Sequence, residues 1–146
     1  LVIWLLANVT TADGTAVLMH VTRFFDPFAR LLGMDGTIFT AFLLGFPANE
    51  LVVPLIVMTY TAQGGLVSLE GAALGELLIQ NGWTWVTALC TVLFMLFHWP
   101  CATTCLTIKK ETQSVKWTLL SFLIPTVCGL LLCFFAATVA RLLPGM

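Results

Sequence analysis

The chain has 146 residues, of which 60% are hydrophobic and only 9% are charged, and its mean hydropathy is +1.03. In a soluble domain about a quarter of the residues are charged, so this composition excludes an ordinary soluble domain and predicts an integral membrane protein. The net charge of −1, without basic patches interleaved with aromatic residues, predicts no nucleic-acid partner.

The N-terminal residues predict a helix end followed by an amphipathic segment. Residues 1–9 contain an apolar run about a third as long as a spanning helix. Because no basic stretch precedes this run, it does not have the pattern of a signal peptide. We interpret residues 1–9 as the end of a truncated transmembrane helix, and the chain as the C-terminal piece of a larger protein. Residues 10–36 predict an interfacial amphipathic segment. Within it, Asp26-Pro27 resembles a helix cap and leaves open a division into two short helices.

Three apolar elements then predict an all-α, polytopic transmembrane domain over residues 37–146, with proline-broken helices. Two of the elements, residues 37–61 and 83–108, are interrupted by proline, and the third, residues 114–139, is a long helix without charge in its middle. Each is long enough to cross a bilayer, which takes about 20 residues. Trp83-Thr84-Trp85 indicates a membrane interface at the start of the second element.

The two breaks share one pattern: an aromatic residue, a proline and a small residue in succession. These are Phe46-Pro47-Ala48, which follows Gly45, and Trp99-Pro100-Cys101. Proline removes a backbone donor and bends or ends a helix, and in hydrocarbon the freed backbone groups need protein or water around them. A pair of interrupted segments indicates the binding site of a transporter.

The basic residues predict an orientation if both broken segments cross the membrane completely. One side would then receive five of them: Arg23, Arg30, Lys109, Lys110 and Lys116. The other side would receive only Arg141, so the positive-inside rule places the connection near Lys116 in the cytoplasm. A re-entrant path for either segment would change this assignment.

Polar residues at the first break are candidates for binding a cation. Glu50 lies inside an otherwise apolar stretch, where a carboxylate costs about 2.5 to 3.5 kcal/mol on insertion scales, so we expect it to face a cavity or a partner. It could hold a cation or a proton, or pair with freed backbone amides as a structural group. Asn49 could coordinate the same ligand or cap the following half-helix.

At the second break, His98, Cys101 and Cys105 are spaced to share one helical face. Imidazole and thiolate ligands suit first-row metals such as iron, zinc or copper. Pro100 lies within the triplet and can disrupt this spacing, so simple packing with one hydrogen-bonded histidine is the competing interpretation. Cys101, directly after the proline, is the strongest metal candidate of the three, together with Glu50 from the first break.

At these breaks the chain resembles the ferrous iron transport protein B family, in its C-terminal membrane domain. The similarity rests on Asp26-Pro-Phe-Ala-Arg-Leu-Leu-Gly-Met-Asp-Gly36, Leu44-Gly-Phe-Pro-Ala-Asn-Glu50 and His98-Trp-Pro-Cys-Ala-Thr-Thr-Cys-Leu-Thr-Ile-Lys-Lys-Glu-Thr112. The last stretch is the most specific, and the similarity covers nearly the whole chain. It is similar to the second of that family's two Gate regions, which are akin to nucleoside-recognition membrane domains.

The resemblance implies a multi-pass permease of the bacterial inner membrane, with Fe²⁺ as its transported substrate and no tightly bound cofactor. It implies further partners: the lipid bilayer, and an N-terminal GTP-binding domain and first Gate region of the same protein. Homo-oligomerisation stays open. Because the GTP-binding domain would precede Leu1, we do not expect the chain itself to be an enzyme. By analogy, Cys101 corresponds to a Gate cysteine considered as an iron contact, and Asn49-Glu50 lies in the other Gate half.

Two other functions are compatible with the sequence. A nucleoside or small-solute permease of the same fold predicts a large cavity between the breaks, lined by Asn49, Gln63 and aromatic rings. A non-transporting membrane assembly module predicts that Glu50 and Cys101 lie apart, each with local partners.

Overall fold

The structure is a computed structural model that describes residues 9, 17–47, 49–61 and 71–142. These residues form seven α-helices: α1 (Val17–Leu31), α2 (Gly36–Leu44), α3 (Val52–Thr61), α4 (Ala72–Gln80), α5 (Trp85–Phe97), α6 (Ala102–Thr112) and α7 (Val115–Leu142). A single 3-10 turn, Asn49–Leu51, precedes α3. The described part of the chain has no strand, so the predicted all-α fold is confirmed. The predicted truncated helix, apart from Val9, and residues 10–16 of the amphipathic segment lie outside the described residues.

The second broken segment and the last helix form an antiparallel hairpin. Helices α5 and α6 both pack along α7. The thiol of Cys90 on α5 donates to the carbonyl of Cys133 on α7 at 3.9 Å, and the thiol of Cys133 donates to the carbonyl of Cys90 at 3.3 Å. Gly129 lets the two helices approach closely, since a Cβ there would lie 3.1 Å from the Cβ of Phe97.

Two helical stretches in the described part of the chain are long and apolar enough to cross a membrane. They are the broken stretch Trp85–Thr112 and the continuous helix Val115–Leu142. A third would result if α1 and α2, which meet at 110°, were counted as one bent span. The chain is therefore a polytopic helical membrane protein, as its composition predicted.

The first broken segment does not cross but folds back on itself. Helix α2 has nine residues, about 14 Å at 1.5 Å per residue, which is half of the roughly 30 Å hydrocarbon core. The chain then reverses, and α3 returns along α2. At the base of this hairpin the hydroxyl of Tyr60, near the end of α3, donates to the carboxylate of Asp35, which caps the start of α2. Both ends of the segment therefore lie at the same level, in a re-entrant hairpin.

This reversal overturns the predicted distribution of basic residues, because the first segment does not cross completely. The guanidinium of Arg141 donates to the backbone carbonyl of Arg30, so these two residues lie at the same end of the molecule. Lys109 and Lys116 flank the connection between α6 and α7 at the other end of the hairpin. The five-against-one bias is absent, and the positive-inside rule no longer assigns the orientation.

Helix α1 is continuous, which settles the division left open at Asp26-Pro27. Pro27 lies inside the helix, so no second helix begins at Asp26. It accepts instead from Arg30 Nε at 2.7 Å and from the backbone N–H of Gly36 at 3.1 Å. Helix α1 packs so closely on α2 that a Cβ at Gly36 would overlap the carbonyl oxygen of Thr22. The carboxylate therefore ties α1 to the start of α2.

Candidate functional site

The two proline breaks meet in the folded chain. The backbone N–H of Ala102 donates to the carbonyl of Phe46 at 3.0 Å. Ala102 is the first residue of α6, and the first N–H groups of a helix have no partner within it. The carbonyl next to Pro47 thus satisfies a donor exposed by the break at Pro100. Sequence reasoning placed both breaks but did not predict this contact.

Aromatic rings surround the junction. Phe42 on α2 contacts Phe94 on α5 edge to face, with 4.9 Å between ring centroids. On the α7 side, the Phe122 ring stacks on that of Trp99 at 6.0 Å and lies 6.1 Å from that of Phe46. These contacts pack the aromatic residue of each break, Phe46 and Trp99, against one apolar core.

His98 has one ring nitrogen without a hydrogen-bond partner in the described part of the chain. Its Nδ1 lies 2.9 Å from the carbonyl of Met95 and therefore carries the proton in the neutral ring. The Nε2 atom is buried and has no hydrogen-bond partner among the described residues. Metal-binding histidines usually donate their second ring N–H to a carbonyl or carboxylate in this way. His98 thus has the hydrogen-bonding pattern of a ligand, although it packs among aromatic rings, 5.3 Å from the Phe42 ring centroid.

Cys101 occupies the position just before α6 and is half-buried. Its thiol lies 3.2 Å from the hydroxyl of Thr104, at a helix N-terminus, which favours negative charge. The thiol of Cys105 donates back to the carbonyl of Pro100 at 3.6 Å. Cys105 therefore has a structural partner at the break itself, and Cys101 is the cysteine with the more accessible sulfur.

Asn49 and Glu50 lie in the 3-10 turn between α2 and α3, and both are exposed. Among the described residues, no group of three or more His, Cys, Asp or Glu side chains could hold a metal ion together. The structure thus brings Pro47 and Gly45 to the break that contains Cys101, but it does not assemble Glu50, His98 and Cys101 into one coordination site.

A polar cleft lies at the other end of the molecule, and sequence reasoning missed it. Its volume is about 740 Å³, and it lies between α1, the start of α2, the connection before α5 and the end of α7. Asp35 and Arg141 are among its lining residues. Charged residues at the ends of apolar runs are the only sign of this cleft in the sequence. They do not predict it, because the cleft forms between elements that are distant along the chain.

The fold and site define a class: a polytopic helical membrane domain in which two non-helical breaks meet. The family described as Gate, nucleoside recognition, matches residues 1–115, and the chain belongs to this family. It also matches curated relatives. Proteins named Fe(2+) transporter FeoB from Staphylococcus aureus are 31% identical in strain MSSA476 and 32% in strain COL, over 97% of this chain. One from Leptospira biflexa serovar Patoc is 27% identical over 92% of the chain.

The chain spans about a fifth of the length of these relatives, 21% for the staphylococcal proteins and 20% for the leptospiral one. The resemblance to the second Gate region of the ferrous iron transport protein B family is thereby confirmed. No solved structure matches the chain.

Proposed function

We propose that this chain forms part of the path by which Fe²⁺ crosses the bacterial inner membrane, in a permease coupled to a GTP-binding domain and a first Gate region of the same protein. The observation that carries the proposal is the hydrogen bond from Ala102 to Phe46, because it joins the two breaks into one junction. The curated relatives are named for Fe²⁺ transport. The chain itself supplies no catalytic group in this proposal.

Iron would meet donors one or two at a time rather than a closed cage. The thiol of Cys101 and the Nε2 atom of His98 are the ligands at the second break, and Glu50 with Asn49 supplies oxygen donors at the first. An incomplete set suits transport, since an ion that is conducted must also leave. Iron(II) is among the weaker binders of the divalent series, which further favours release.

Uptake of radioactive Fe²⁺ by cells that depend on the full-length protein tests this role. We expect Cys101→Ser and His98→Gln each to lower the initial rate at least about tenfold, the scale of losing one group at a metal site. Glu50→Gln should also lower it. Cys128→Ser is the matched control, because Cys128 is an exposed cysteine on α7, and it should transport normally. Normal uptake in the three junction variants would refute the proposed ligands.

A nucleoside permease is the second candidate, since the family carries the description nucleoside recognition. It predicts uptake of a labelled nucleoside that Cys101→Ser leaves unchanged, with no dependence on Fe²⁺. A membrane assembly module predicts neither uptake, but a loss of complex formation when the junction is altered. Measuring both substrates in the same cells separates the three functions.

A further inference from the structure

The polar cleft between α1 and the end of α7 lies apart from the junction of the breaks. Three arginines and two aspartates lie along its walls: Arg23, Arg30, Arg141, Asp26 and Asp35. Three positive and two negative charges leave a net charge of +1 on these groups. Which charges are available to a ligand depends on how each is already bonded.

Both carboxylates are occupied within the protein. Asp26 accepts from Gly36 N–H with Oδ1 and from Arg30 Nε with Oδ2. Asp35 accepts from the N–H of Ile38 at 2.7 Å with Oδ1 and from the hydroxyl of Tyr60 with Oδ2. Neither carboxylate has an oxygen left without a donor, so neither is prepared to bind a cation.

The arginines, by contrast, retain donors. Arg30 uses Nε for its ion pair, and its side chain is 74% exposed, which leaves its terminal nitrogens open to the cleft. Arg141 uses one terminal nitrogen on the carbonyl of Arg30. Arg23 is exposed and makes no ion pair within the described residues. A guanidinium carries five N–H donors in a planar fork that matches phosphate oxygens, so the cleft offers donors for an anion.

The position of the cleft relative to the membrane indicates the source of the anion. Helix α7 has 28 residues, about 42 Å at 1.5 Å per residue, which exceeds the roughly 30 Å hydrocarbon core. Its last turn, with Ala140 and Arg141 in the cleft wall, therefore extends to the level of the lipid headgroups. Trp83 lines the same cleft, and tryptophan is enriched at that level.

We infer that this cleft binds the phosphate of an anionic phospholipid headgroup, with Arg23, Arg30 and Arg141 as donors. Basic pockets between transmembrane helices recognise lipid headgroups by the same chemistry. A bound lipid would bridge α1 to the end of α7, two elements that the Arg141 hydrogen bond already joins. This role is independent of the transported substrate.

Native mass spectrometry of the purified full-length protein, titrated with phosphatidylglycerol or phosphatidylcholine in detergent, tests the inference. We expect phosphatidylglycerol to bind more tightly than phosphatidylcholine. One basic residue near an anionic lipid changes the affinity about fivefold. Arg23→Gln should therefore lower the affinity for phosphatidylglycerol about fivefold, and the double variant Arg23→Gln with Arg141→Gln about 25-fold. The matched controls are Lys116→Gln and the double variant Lys109→Gln with Lys116→Gln. These lysines are exposed at the other end of the hairpin, and the controls should bind normally.

Three results would overturn the inference. Equal binding of both lipids, or equal losses in the lysine controls, would mean that no headgroup site exists in the cleft. Displacement of the lipid by excess inorganic phosphate would assign the cleft to a free anion. If circular dichroism shows that the double variant does not fold, the lipid affinity of Arg23→Gln alone tests the inference. Arg23 makes no ion pair in the described part of the chain, so this substitution removes none.

Discussion

The first broken segment reverses at its proline, whereas the second continues across. Seven residues separate α2 from α3, and only four separate α5 from α6. The longer connection includes a 3-10 turn and Gly45. A Cβ at Gly45 would lie only 2.7 Å from Cγ2 of Val52, so the absence of a side chain allows this close approach. The shorter one leaves α5 and α6 both packed on α7. Proline alone does not decide the outcome, because Pro125 lies inside the continuous helix α7. At the two breaks, the length of the connection and the available packing partner decide the path.

Mapping which membrane side each segment end reaches is the strongest test of the difference between the two segments. In a variant without native cysteines, Arg23→Cys and Asn81→Cys should react with an impermeant maleimide from one side, and Glu111→Cys from the opposite side. All three positions are exposed. Labelling of Arg23→Cys and Asn81→Cys from opposite sides would show that the first segment crosses, contrary to the hairpin geometry.

The close packing of α1 on the start of the re-entrant hairpin predicts the largest loss of stability. Gly36→Ala places a methyl group on the carbonyl of Thr22 and 3.0 Å from the Cα of Asp26. Backbone cannot yield as a side chain does, so we expect a loss of about 3 kcal/mol or more in unfolding free energy, the upper end for overpacking. Unfolding in mixed detergent micelles measures it.

Gly75→Ala is the matched control, since Gly75 lies inside α4 and no atom of the described residues is within 4 Å of its Cβ position. It should stabilise slightly, by about 0.4 to 1 kcal/mol. A Gly36→Ala protein as stable as this control would contradict the close contact of α1 and α2.

The base of the hairpin predicts a smaller loss. Tyr60→Phe removes a hydroxyl that donates to Asp35 and accepts from Trp83 Nε1 at 2.8 Å. Two part-buried groups would lose their partner, so we expect a loss of about 1 to 3 kcal/mol. Helix α7 packs on the second broken segment and supplies a control. There, Thr126→Val removes only a hydrogen bond to the carbonyl of Phe122 within the same helix, so its loss of unfolding free energy should be smaller. Equal costs would mean that the Tyr60 contact does not hold the hairpin closed.

The smallest effect is expected at the start of the crossing segment. Thr84 caps α5 by accepting from the N–H of Thr87 at 3.3 Å. Loss of such a cap costs about 0.5 to 2 kcal/mol, and since this bond is long and exposed, we expect Thr84→Ala to lie near the lower value. The same micelle unfolding assay applies. A loss as large as that of Tyr60→Phe would show that the crossing segment depends on its end contacts as much as the hairpin does.

Residues of the candidate site differ in how far the sequence predicted them. Pro47, Pro100 and Gly45 were predicted as break residues, and the structure places a break at each. The orphan Nε2 of His98 could not be predicted, because it depends on which carbonyl its other nitrogen reaches and which rings cover it.

The sequence by itself determined the membrane class, the helical elements, the position of both breaks and the family. These depend on composition and on patterns a few residues long, which act locally on the backbone. Only the tertiary structure decided that one break reverses and the other crosses, that the breaks meet, and that three arginines share a cleft. Those outcomes rest on contacts between distant residues, Asp35 with Tyr60, Phe46 with Ala102 and Arg30 with Arg141, and no local pattern specifies which distant partner a freed backbone group or a charge will find.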